Sequence, residues 1–285
     1  MPAATGRPAR FGEAGPMDPS AGLGAHGVAE IMGTVISVDI RDPEVQAPVV
    51  DAVFAVLRAV DRRFSPFRAD SEVSALIRGA LVPERASADL RAVLDLAEAL
   101  RSQTDGYFDI HRHRPDGRPD PTGLVKGWAV ERAARIVEAA GGRDFTIAAG
   151  GDVVARGSAG PGRAWRVGIR HPHLADRVAG VLAIHDGAVA TSGAYERGEH
   201  IVDPHTGRPP TGLLSLTVVG PDLAIADAYA TAAFAMGGDG PAWVARQPGY
   251  GAFAITTDER VVWTPLVDAL KVDPGADDEG MVATA

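Results

Sequence analysis

DFTIAAGGDVVARG, residues 144–157, is the stretch on which the fold class turns. Two short apolar runs with strand character are separated only by Gly150 and Gly151, a spacing that suits a tight hairpin or lets the chain pass close to a flat ligand. More strands follow at short intervals. AWRVGIRHP (164–172), AGVLAIHDGAVATSG (179–193) and LLSLTVVG (213–220) have the same character, and YGAFAITTDERVVWT (250–264) reads as a hairpin turning at Asp258-Glu259. Helical periodicity lies mostly upstream. This partial segregation predicts an α+β fold of mostly antiparallel sheets with packed helices, rather than a doubly wound parallel sheet.

Upstream, Glu30 to Ile40 alternates Met32, Thr34, Ile36, Val38 and Ile40 on one face, as a strand would. Val45, Val49, Val53, Leu57, Val60 and Phe64 then recur at helical spacing, with Asp42-Pro43 as the start signal. A short helix after Ser71 and an amphipathic helix opened by Ser87 have serine N-caps. Residues 104–123 are dense in Gly, Pro, Asp and His and read as a long loop, the kind that usually carries function or is disordered. Residues 124–140 read as a helix whose Gly127 signals close backbone approach. Residues 239–247 suggest a further short helix. Residues 1–28 are rich in Gly, Pro and Ala and are expected to be a disordered leader, and residues 271–285 a flexible tail.

Of the 285 residues, 46% are hydrophobic and 23% charged, enough to bury a sizeable core. The net charge of −9 argues against sequence-independent nucleic-acid binding and means that an anionic ligand needs local help from a metal, a lysine or backbone amides. There is no cysteine, hence no disulfide, thiolate metal site or cysteine nucleophile. Without an apolar signal core or a membrane-length apolar window, the chain reads as soluble and cytoplasmic. GxGxxG, GxxxxGK[ST] and GxSxG patterns are absent.

Leu223 to Gly238, LAIADAYATAAFAMGG, is an apolar helix carrying one carboxylate, Asp227, and one hydroxyl four residues on, Thr231. Positions i and i+4 share a helix face. The pair is either a hydrogen-bonded piece of core or a ligand set for a hard cation, because a buried carboxylate must be satisfied. Lys126, near the start of its helix, is either a solvated lysine or an anion site in which Gly123 and Gly127 permit close approach. ATSGAYERGEHIVDPHTGRPPTG (190–212) is the densest polar stretch and includes Thr191, Ser192, Tyr195, Glu196, His200, Asp203 and His205. DPHTG can be no more than a hydrogen-bonded turn, while His200 before it could orient a phosphate or move a proton. The pairs His111/His113 and His171/His173 lack the partners of a transition-metal site.

Seven segments in order carry a resemblance: MGTVISV (32–38), FSPFRADSEVSAL (64–76), GYFDI (106–110), DPTGLVKGWAVER (120–132), AAGGD (148–152), ATSGAYE with HIVDPHTG (190–207) and ADAYATAAFAMG (226–237). Together they resemble the FAD:protein FMN transferases, the ApbE family of flavin transferases. The resemblance implies an ApbE-like flavin transferase architecture over residues 29–270. It also implies a Mg²⁺-dependent reaction in which a Ser or Thr hydroxyl of an acceptor protein attacks the FMN-side phosphorus of FAD and AMP leaves. Family FAD contacts map onto Met32, Phe67, Tyr107, Phe108, Asp109, Asp120, Lys126, His200 and Ile201. Magnesium ligands map onto Asp227 and Thr231 with backbone oxygens of Gly123 and Ala230, and Lys126, Asp227 and His200 are the expected catalytic groups. Three departures stand out: no lipoprotein cysteine, Pro66-Phe67 where relatives commonly carry a tyrosine, and His111 where a threonine usually follows GYFDI. A Mg²⁺-dependent FAD pyrophosphatase and a non-catalytic FAD-binding protein are the alternatives.

Overall fold

The computed structural model describes residues 5–6, 24–112, 117–174, 177–193, 201–273 and 281–284. Gly150 and Gly151, at φ of 59° and 100°, form the two-residue turn of a hairpin. It joins β4 (Phe145–Ala149) to β5 (Asp152–Arg156), with Ala149 opposite Asp152. Positive φ at both central positions matches the right-handed twist of the flanking strands, which is why this loop needs two glycines.

Before this hairpin come β1 (Thr5–Gly6), β2 (Ala25–Ile31) and β3 (Thr34–Ile40). After it come β6 (Trp165–Arg170), β7 (Val178–Ile184), β8 (Gly187–Gly193) and β9 (Leu213–Gly220), then β10 (Gly251–Thr256), β11 (Val261–Trp263), β12 (Lys271–Val272) and β13 (Met281–Thr284). Among the described residues, nine strands form one antiparallel sheet in the order β1-β11-β10-β9-β8-β5-β4-β3-β2. The other four form a second sheet, β12-β7-β6-β13, in which β13 runs parallel to β6. The helices are α1 (Ala47–Phe64), α2 (Glu72–Ile77), α3 (Ala88–Gln103), α4 (Thr122–Ala139), α5 (Leu223–Ala235), α6 (Gly240–Val244) and α7 (Pro265–Leu270).

Alternation along the central strands sorts the core into two layers. Ile147, Ala149, Val154, Ala188, Ala190 and Ala254 pack with the helices, whereas Ala148, Val153, Ala155, Val189, Phe253 and Ile255 pack with Trp165, Val167, Ile169 and Leu182 of the second sheet. Side chains of a strand alternate between its two faces, so a sheet covered on both sides reads as an unbroken apolar run. β8 is accordingly buried at all seven positions. The helix α5 is buried almost all round, between α4 and strands β8 and β9, as its nearly uniform apolar composition requires.

Ser71 and Ser87 accept hydrogen bonds from Ser74 N–H and Leu90 N–H and cap α2 and α3 as expected. Several expectations are corrected. Glu30–Ile40 is not one strand. Met32 and Gly33, both with positive φ (57° and 70°), turn the chain back so that Ile31 faces Thr34. Asp42 does not start α1, which begins at Ala47; its carboxylate instead accepts from Arg143 N–H and Asp144 N–H, both at 2.9 Å, and ties the end of β3 to the start of β4. β2 begins at Ala25, inside the stretch read as a leader, and Thr5–Gly6 pair with Val261–Val262. The stretch read as a tail contributes β12 and β13, because the edges of the second sheet offer unpaired backbone groups. Helix α7 has no periodic signal in so few residues and buries only Val267. Among the described residues, no helix is long and apolar enough to cross a membrane.

Candidate active site

One cleft of 1240 Å³ gathers most of the residues singled out above. It is larger than the ~300–1,000 Å³ that usually hold one drug-sized ligand, so an extended dinucleotide fits within its bounds. It opens where the β2–β3 turn, the β4–β5 turn and the end of β8 meet the first turns of α4 and the middle of α5.

Of the expected flavin contacts, Met32, Phe67, Tyr107, Phe108, Asp109, Asp120, Lys126 and Ile201 line this cleft. Phe67 is 96% exposed, an uncovered aromatic face at the cleft. Tyr107 meets His205 in a tilted ring contact, centroids 4.5 Å apart and planes inclined by 60°. Burial and the nearby charges of Asp203, Asp105 and Asp239 push the Tyr107 phenol up, so it remains a neutral donor. His200, with Tyr195 and Glu196, lies outside the described residues. After it, DPHTG forms the expected turn: Asp203 accepts from His205 N–H and Thr206 Oγ1, both at 2.9 Å. Burial raises the Asp203 carboxyl, but these hydrogen bonds outweigh it and hold the group below the usual carboxylate range.

Of the expected metal ligands, Gly123, Asp227 and Thr231 line the cleft, while Ala230 is 0% exposed and does not. Asp227 is 7% exposed. Ser192 at the end of β8 adds a third oxygen: its Oγ lies 3.3 Å from Thr231 Oγ1. The donor set of a carboxylate, two hydroxyls and backbone in the first turn of α4 contains no sulfur and no imidazole, which suits a hard cation. Among the described residues, no group of three or more His, Cys, Asp or Glu could hold a metal ion. A cation here would therefore keep waters or substrate oxygens in its shell, as Mg²⁺ commonly does.

Lys126 projects into the same cleft, but its ammonium lies 2.5 Å from Asp152 Oδ2, at the first residue after the Gly150-Gly151 turn. Asp152 Oδ1 also accepts from Thr191 N–H at 3.4 Å, so one buried carboxylate links α4 to β8. At the start of α4, Asp120 Oδ1 accepts from Thr122 N–H and Oγ1 and anchors the turn that presents Gly123. Gly127 faces α5 instead of the ligand: a Cβ there would lie 3.0 Å from Ala224 Cα and from Leu223 O. The expected close backbone approach is therefore between the two helices. Among the described residues, five carboxylates (Asp61, Asp109, Asp120, Asp203, Asp227) and three cations (Arg112, Lys126, Arg170) line the cleft. An anionic ligand entering it needs added positive charge.

Asp152, the last residue of the AAGGD segment, is buried and meets Lys126 only through the hairpin, a contact that spacing does not foretell. Arg170 comes from the second sheet and has no local sequence signal.

The ApbE family model matches residues 32–115 and 111–254. The FAD:protein FMN transferase of Klebsiella pneumoniae (strain 342) is 33% identical over 159 residues, 52% of this chain and 45% of that protein. That of Haemophilus influenzae is 24% identical over 283 residues, covering 78% of this chain and 82% of that protein. The chain spans about half the length of the first of these relatives. The crystal structure of the ApbE protein from Thermotoga maritima shares the fold, with a TM-score of 0.73 at 22% identity over 87% of this chain and 99% of that one.

Proposed function

The chain belongs to the ApbE family, and from that premise we propose that it is a Mg²⁺-dependent FAD:protein FMN transferase. The observation that carries the proposal is convergence: Gly123, Lys126, Asp227 and Thr231, from helices about a hundred residues apart, face one cleft with Met32, Phe67 and Tyr107. Similar relatives are named FAD:protein FMN transferase.

In the proposed reaction a Ser or Thr hydroxyl of an acceptor protein bonds to the FMN-side phosphorus of FAD. The bond from that phosphorus to the bridging oxygen breaks, and AMP leaves with that oxygen. Asp227, Thr231 and Gly123 would hold the magnesium ion, whose chemistry is to neutralise charge on the phosphate oxygens. Lys126, oriented by Asp152, binds a phosphate oxygen from the opposite helix. Phe67 and Tyr107 offer ring faces to the flavin or adenine. The excess of carboxylates in the cleft keeps FAD binding dependent on the cation.

Incubation with FAD and Mg²⁺, with and without an acceptor domain, tests this reading. Transfer leaves a fluorescent protein adduct and free AMP. Free FMN and AMP in both arms would establish hydrolysis, and stoichiometric FAD binding that survives chelation, with no AMP, would establish a binding protein.

His200 is our assignment for taking the hydroxyl proton or orienting the hydroxyl, since it precedes the Ile201-Val202-Asp203 segment at the cleft. General-base loss typically costs ~10²–10⁴-fold, so His200→Ala should lower the transfer rate by at least about 10²-fold. Transfer at the wild-type rate would remove the assignment.

A further inference from the structure

Glu131 is a buried charge that no step of this reaction uses. It is 6% exposed, on α4, and engaged on both oxygens. Oε1 accepts from Leu223 N–H at 2.7 Å, and Oε2 faces the Arg156 guanidinium at 3.2 Å. Burial pushes its carboxyl above the ordinary range; the Leu223 hydrogen bond opposes this, Asp222 adds to it, and Arg156 and Arg135 oppose it. Burying a carboxylate is costly, so a position that only filled space would be served more cheaply by an apolar side chain.

Leu223 is the first residue of α5, and its N–H is one of the donors that a helix start leaves without an intrahelical partner. The local cap, Asp222, serves Ile225 N–H at 3.1 Å. Glu131 therefore caps α5 from another helix. One turn earlier on α4, Gly127 brings the backbones together at Leu223 and Ala224. Lys126 directly precedes Gly127, and Asp227 lies four residues beyond Leu223, a rise of roughly 6 Å along the axis. A shift of α5 at this junction reaches Asp227 undiminished, because one helical turn is rigid.

We propose that Glu131 is a positioning residue: its carboxylate fixes the start of α5 against α4 and so sets the separation of Asp227 and Thr231 from Lys126 and Gly123 across the cleft. The proposal rests on the reading of that cleft as a metal-assisted phosphoryl-transfer site. It concerns the reach of the acceptor oxygen, not its charge.

Two conservative variants of the full chain separate those properties. Glu131→Gln loses the charge but keeps an oxygen at the same reach; Glu131→Asp keeps the charge and withdraws the oxygen by one methylene. Mn²⁺ affinity measured by electron paramagnetic resonance, Leu223 amide exchange, and kcat and KM for FAD are the readouts. A misplacement of ~1 Å can cost ~10²-fold in a position-limited step, so Glu131→Asp should weaken Mn²⁺ binding by about tenfold and lower kcat by up to about 10²-fold, with KM for FAD nearly unchanged. Its Leu223 amide should exchange faster. Glu131→Gln should stay within about threefold of wild type in Mn²⁺ affinity and kcat, because a neutral acceptor still holds the N–H and Arg156, which then faces the amide nitrogen, keeps Glu138 and the Ala155 and Gly187 carbonyls as partners. Equal Mn²⁺ affinity in wild type and Glu131→Asp, or a larger loss in Glu131→Gln than in Glu131→Asp, overturns the proposal. If the wild-type protein neither binds Mn²⁺ nor releases AMP, the functional reading fails, whereas the exchange rates still report whether Glu131 holds the start of α5.

Discussion

Asp227→Ala is expected to lower Mg²⁺-dependent AMP release from FAD by on the order of 10²–10³-fold, the range seen when one electrostatic stabiliser of a transition state is removed. The fold should survive. Asp227 is a buried carboxylate in a helix otherwise built of Ala, Leu, Ile, Tyr, Thr and Phe. Alanine is the best helix former and relieves the cost of burying a charge, so the thermal midpoint should hold or rise. Chromatographic measurement of AMP together with a thermal melt decides the matter. Normal AMP release with an unchanged melt would return Asp227 and Thr231 to being core structure.

Gly127→Val is expected to destabilise the fold strongly, by about 3 kcal/mol, from overpacking at a backbone contact. The ideal Cβ at this position meets Ala224 Cα and Leu223 O at 3.0 Å and Ala224 N at 3.2 Å. These are backbone atoms, which cannot rotate aside. Gly127→Ala gives a sharper comparison: at an exposed helix interior that change gains ~1 kcal/mol of propensity, so a net loss here measures the contact itself. Urea titration should show a lower midpoint with an unchanged slope for both variants. Because spreading α4 from α5 also parts Lys126 from Asp227, AMP release should fall in the folded fraction as well. A Gly127→Ala protein more stable than wild type would mean that the helices can separate without strain.

Local chemistry was legible wherever a few neighbouring residues suffice. Ser71 and Ser87 were readable as caps because a cap needs only the next three residues. The hairpin at Gly150-Gly151 follows from turn chemistry between two apolar runs. The Met32-Gly33 turn escaped because a non-glycine residue occupies a left-handed position there, and the alternation of side chains carries on across it. Asp42 escaped for another reason: its partners lie about a hundred residues away, on the neighbouring strand. In the cleft, Asp227, Thr231, Gly123 and Lys126 were identifiable as chemistry-bearing residues, but the contacts that orient them were not.

By itself the sequence determined the partial segregation of helices from strands, the apolar helix with its single Asp and Thr, and the ordered motifs of the ApbE family. These are properties of composition and spacing over a few turns of chain. Only the tertiary structure decided that Lys126 meets Asp152, that Glu131 caps a helix 92 residues further on, that Ser192 joins Thr231, and that Ala230 faces the core while Asp227 and Thr231 face the cleft. The reason is that sheet order and helix crossing set these distances. β3 lies beside β4 and α4 beside α5 because their apolar faces bury together, and the charges at their ends meet as a consequence of that packing.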